Sequence, residues 1–118
     1  MKLIVAVVRP ERLEAIQEAL GAAKVFRLTA SDVQAFAPAG AAASGAAAAY
    51  AGAAAGEAAV GRVRLEIAVN EEFVEPTVGA IARAGRLGEG SPGDGAVYVL
   101  PLEEVIRIRT GERGPAAI

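Results

Sequence analysis

The chain predicts an α+β fold in which two β-α-β units follow one another, and three observations carry that reading. Leu3 to Val8 is a continuous apolar run of the length of a buried strand. Arg62 to Val69 alternates strictly, with Val63, Leu65, Ile67 and Val69 on one face and Arg62, Arg64, Glu66 and Ala68 on the other. After each of these runs comes a stripe at helical spacing, Leu13, Ile16 and Leu20 in the first unit and Val74, Val78 and Ile81 in the second. With 118 residues, the chain is expected to form one domain over 1–118. The order is that of a ferredoxin-like βαββαβ sandwich, an antiparallel sheet with two helices on one face. Two helices cover only one face, so the other is expected to be buried by self-association.

Taken in order, Leu3–Val8 forms the first strand, and Pro10 suits the helix N-terminus that follows, where a missing N–H needs no partner. Glu11, Arg12, Glu14, Gln17 and Glu18 cover the outer side of that helix, and Gly21 weakens its end. Val25 to Phe36 is read as the second strand, with imperfect alternation. Arg62–Val69 is the third, and Asn70 is placed to cap the second helix. Pro76 falls in the first turns of that helix, where proline is tolerated. A loop from Gly85 to Gly95 leads into Ala96–Leu100 and then Val105–Arg109 as final strands.

Composition excludes several kinds of chemistry. The chain has no cysteine, so disulfides, thiol catalysis and zinc-cysteine sites are out. Without histidine it lacks the commonest general base and metal ligand, which removes Ser-His-Asp and Cys-His enzymes. A net charge of -2 gives no electrostatic case for nucleic acid as a partner. Glu71, Glu72 and Glu75 sit at a helix N-terminus, where compensation of the helix dipole explains them without catalysis. Glu103 and Glu104 read as a solvated turn. The opening MKLIVAVVRPE is too short an apolar run for a secretory signal or membrane span, so a cytoplasmic protein is expected.

From Ala37 to Ala59, alanine supplies 15 of 23 residues, so only Tyr50 could anchor the segment to a core. Glycines interrupt every helical run, and a long loop over 37–61 is expected, either an interaction loop or a linker without specific chemistry.

One cluster suggests a ligand. On a strand, Ile106 and Ile108 would face the core while Arg107 and Arg109 share the opposite face, and paired guanidiniums suit phosphate oxygens. Upstream, Gly93-Asp94-Gly95 supplies a turn whose backbone can approach an anion closely. The same residues also describe a hairpin turn followed by a solvated strand face.

The element order, the insertion after the second strand, the GDG turn, RVRLEIAVNEEFVEPTV from Arg62 and VIRIRTGERGPAAI from Val105 together resemble the PII signal-transduction proteins over nearly the whole chain. The resemblance implies a homotrimer that binds ATP or ADP between subunits and, through its protruding loop, docks on a regulated enzyme, a transcription regulator or a membrane ammonium transporter. It implies that Gly93, Asp94 and Gly95 form the nucleotide loop, that Arg107 and Arg109 bind phosphate, that Thr29 lies near the adenine and Arg62 near the phosphates, and that Tyr50 and Gly52 lie in the partner-binding loop. Such a chain is a nitrogen regulator and not an enzyme. Two other readings are a trimeric scaffold whose ligand sensing has decayed and a sensor of another metabolite, such as bicarbonate.

The chain also departs from the pattern. Ala96 stands where the family carries a phosphate-binding lysine, a loss on the order of 1.5 to 3 kcal/mol. Ala35-Phe36-Ala37-Pro38-Ala39 replaces Gly-Phe-Gly-Arg-Gln, which removes the glutamine that coordinates magnesium for 2-oxoglutarate. Ala55 falls where some members carry a uridylylated tyrosine.

Overall fold

The computed structural model describes residues 1–36 and 59–118. Four strands, β1 (Lys2–Val8), β2 (Thr29–Phe36), β3 (Ala59–Val69) and β4 (Ala96–Pro101), form one sheet in the order β2-β3-β1-β4. Every neighbouring pair is antiparallel. Two helices, α1 (Leu13–Ala22) and α2 (Val74–Gly85), complete the ferredoxin-like sandwich that the sequence predicts.

The alternation of β3 sets the layers. Val63, Leu65, Ile67 and Val69 are each at most 5% exposed and pair with Val8, Ala6, Ile4 and Lys2 of β1. Ile4, Ala6 and Val8 join them in one cluster with Ile16 and Leu20 of α1 and Ala80 and Ile81 of α2. Each fully buried Leu or Ile contributes on the order of 1.5–3 kcal/mol. The opposite face carries Leu3 and Val5, paired with Leu100 and Tyr98, and among the described residues no helix covers it.

The ends of the elements differ from the sequence reading in four places. At the end of α1, Val25 N–H donates to the Leu20 carbonyl at 2.8 Å and Lys24 takes φ +63, a Schellman-type stop. Val25 is thereby fixed in the core, and β2 begins at Thr29 rather than Val25. β3 begins at Ala59, so residues 59–61, expected as loop, are strand paired with Gln34–Phe36. Asn70 makes no side-chain cap; its Nδ2 donates to the Pro115 carbonyl at 3.2 Å, and a 3-10 turn, Glu71–Phe73, precedes α2. The predicted strand Val105–Arg109 is a tight hairpin held by one Ile106↔Arg113 bridge. Its Ile106 is 49% exposed and Ile108 fully exposed, so neither isoleucine faces the core. The backbone closes on itself, with Arg107 N–H on Glu112 O and Gly114 N–H on Val105 O, both at 2.9 Å. Ile108–Thr110 make the turn, closed by the Gly111 N–H on the Arg107 carbonyl at 2.7 Å, with Gly111 at φ +73.

Candidate functional site

The Gly93-Asp94-Gly95 turn enters β4 beside the end of β1. Gly95 has φ +97, and a Cβ there would lie 1.8 Å from the Val7 carbonyl oxygen, so only glycine fits. Asp94 braces the loop from within. Its Oδ1 accepts from Arg9 Nε at 3.0 Å and from the Leu87 amide at 3.3 Å, while Oδ2 accepts from the Ser91 amide at 2.7 Å. Burial raises the Asp94 pKa, but the Ser91 amide, the Arg9 guanidinium and the Leu87 amide outweigh it and hold the carboxyl below its ordinary range. Arg9 also donates to the Pro92 carbonyl at 2.7 Å. It is the residue that sequence reasoning missed, and its signal was a basic side chain at the end of a core strand, directly before Pro10.

Arg107 and Arg109 come from the hairpin and not from a strand face. Arg107 Nη1 pairs with Glu112 Oε1 at 3.2 Å, and its Nη2 donates to the Ala116 carbonyl at 3.3 Å. Arg109 lies exposed in the turn and makes no hydrogen bond or ion pair among the described residues.

Thr29 opens β2 and lines a cleft of about 500 Å³ with Phe26, Leu28, Glu66, Ala68, Val105 and Ala117. Hydrophobic walls with a few polar groups are what a flat heterocycle needs. Arg62 is 5% exposed, and its Nη1 donates to the Gly61 carbonyl at 2.9 Å.

These residues form two groups, not one. Thr29 and the hairpin root share the cleft, and the hairpin's tail is tied to Asn70 at one end of β3. Arg62 and the Gly95 turn stand at the other end, near the Val8↔Val63 pair. From Arg62 to Glu66, the partner of Thr29 in the cleft, is four positions, roughly 13 Å along the strand.

Tyr50 and Gly52 lie outside the described residues. Among the described residues, no group of three or more His, Cys, Asp or Glu could hold a metal ion. No helix among them is long and apolar enough to cross a membrane.

Comparison with known proteins matches this architecture to one family. The family model described as nitrogen regulatory protein P-II matches residues 1–112. Nitrogen regulatory protein GlnK1 of Methanosarcina mazei is 42% identical over 118 residues, which are all of this chain and 97% of that protein. Nitrogen regulatory protein P-II of Cereibacter sphaeroides is 36% identical over the full length of both. The P-II homolog of Arabidopsis thaliana is 37% identical over 112 residues, or 95% of this chain and 55% of that protein. The chain belongs to the P-II family of nitrogen regulatory proteins.

Proposed function

We propose that the chain is an adenylate-responsive regulator of nitrogen metabolism, not an enzyme, which binds ATP or ADP between copies of itself. The observation that carries this reading is the separation of the two groups. The Thr29 cleft opens beside edge strand β2, with Arg107 rooted near it, and the Gly93–Gly95 turn leads into the opposite edge strand β4, with β3 and β1 between them, roughly 14 Å across the sheet, so neither edge alone offers both the base seat and the glycine turn. Two copies packed through the open sheet face bring one group against the other. That face supports packing, because Tyr98 and Leu100 are 39% and 42% exposed on an apolar surface beside Val5 and Leu3. A homotrimer is the closed assembly proposed, as family membership implies.

Each part has a stated task. Phe26, Leu28 and Ala68 give the base an apolar seat, and the Thr29 hydroxyl can donate to or accept from its edge. Arg107 and Arg109 hold phosphate oxygens as charge-assisted donors. The Gly93–Gly95 backbone approaches the phosphates because no Cβ stands in the way. Ala96 brings no cation, so affinity is set by the arginines.

The signal leaves through the sheet. β2 and β3 are paired without a break from Thr29↔Glu66 in the cleft to Phe36↔Ala59. That ribbon is seven positions long, roughly 23 Å, and ends where the alanine-rich segment begins. ATP and ADP, seated differently, bias that segment between states of unequal affinity for a regulated enzyme or a membrane ammonium transporter. Magnesium and 2-oxoglutarate have no part in this reading, since the glutamine expected to serve them is Ala39 here.

Calorimetric titration of ATP into Arg107→Ala/Arg109→Ala tests the site. Two lost charge-assisted contacts predict at least a hundredfold weaker binding with the same assembly mass by light scattering. Unchanged affinity contradicts the site. Normal assembly of a wild type that binds no adenylate favours a scaffold instead.

A further inference from the structure

The residues after Arg113 fold back onto the body of the protein. Gly114–Ala117 forms a 3-10 turn, Asn70 Nδ2 donates to the Pro115 carbonyl, and Arg107 Nη2 donates to the Ala116 carbonyl. Ala117 is 7% exposed, and Ala117 and Ile118 form part of the wall of the Thr29 cleft. One guanidinium therefore holds down the segment that walls the cleft. A phosphate gripped bidentately needs two parallel N–H groups, yet both Nη atoms of Arg107 are engaged, one by Glu112 and one by Ala116.

We propose that Gly114–Ile118 is a latch that competes with the nucleotide for Arg107, so that phosphate binding releases the segment and the docked segment holds affinity down. This rests on the adenylate reading above. Among the described residues, Arg107 provides one of the two side-chain ties on the segment and Asn70 the other. When phosphate takes Arg107, the Asn70 tie, the Gly114 amide on the Val105 carbonyl and the burial of Ala117 remain, and beyond Pro115 the segment keeps no side-chain tie among the described residues. By linkage the effect is reciprocal: what loosens the latch strengthens nucleotide binding by the same factor.

The test uses Asn70→Ala and Asn70→Asp, which both remove the Nδ2 donor and so cut the second tie; Asn70 does not line the Thr29 cleft and is not among the proposed nucleotide contacts. ATP is titrated into the wild type and both variants, and deuterium exchange at residues 116–118 is followed with and without ATP. The latch predicts binding about three- to tenfold tighter in both variants, the worth of one ordinary hydrogen bond. It also predicts faster exchange at 116–118 when ATP is added to the wild type. A wild type that binds ATP, with variants of equal or weaker affinity and exchange that is unchanged or slower, overturns the latch and leaves the site standing. No heat from the wild type or either variant overturns the site, and the latch with it.

Discussion

Replacing Gly95 with alanine tests the packing of the turn that begins β4. The new Cβ would lie 1.8 Å from the Val7 carbonyl oxygen and 3.0 Å from its carbon, against backbone that cannot rotate away. Alanine at φ +97 adds a conformational cost of about 1–2 kcal/mol. Relief of the contact requires β4 to move off β1 at the Val7↔Ala96 pair, which loosens the Arg9–Asp94 brace beside it. The summed cost is about 3–5 kcal/mol, within the range of severe single substitutions. For a domain of this size that lowers the melting temperature by about 10–20 °C in a thermal scan. Gly88→Ala is the control: Gly88 has φ +58, but nothing stands within 4 Å of its would-be Cβ. Its cost should be only about 1 kcal/mol. Equal losses in the two variants would refute the argument, because the conformational cost is common to both and the collision is not.

Further predictions follow from the brace and from the open face. Asp94 titrates ordinarily at 3.8 and lower in the fold, so its stabilisation is complete above that value and is lost as pH falls through the lower one. Asp94→Asn should therefore cost about 2 kcal/mol in urea midpoints at pH 7, a gap that narrows below about pH 4; a gap independent of pH would mean that the ionised carboxylate is not the source. Leu100→Glu places a charge on the uncovered apolar face, on edge strand β4 beside Leu3. Light scattering should then report monomers from a chain whose circular dichroism is unchanged, whereas an intact assembly would move the interface elsewhere.

Period and pattern made most of the fold legible. β1, β3 and both helices were readable because their apolar spacings match a two-layer core, and the structure buries Ile4, Ile16, Leu65 and Ile81 as those stripes require. Val105–Arg109 misled because alternation marks a strand only where a partner is available. β1 already pairs with β3 and β4 on its two sides, and the run turns back on Arg113 instead. Val25–Leu28 misled for a related reason, since the helix stop at Lys24 spends Val25 on the core before β2 can start. At the site, Gly93 and Gly95 were identifiable from residue type, and both have positive φ. The role of Asp94 was not, because its partners Arg9, Leu87 and Ser91 are set by tertiary contact. Nor could spacing alone reveal that Arg107 already holds Glu112 and Ala116.

The central claim is that adenylate binds between copies of this chain, and calorimetric titration of the purified protein with ATP and with ADP tests it most directly. The account predicts micromolar binding of both, one nucleotide per chain, with no change when magnesium and 2-oxoglutarate are added together. Absence of heat with either nucleotide, at concentrations where the protein is assembled, would contradict it.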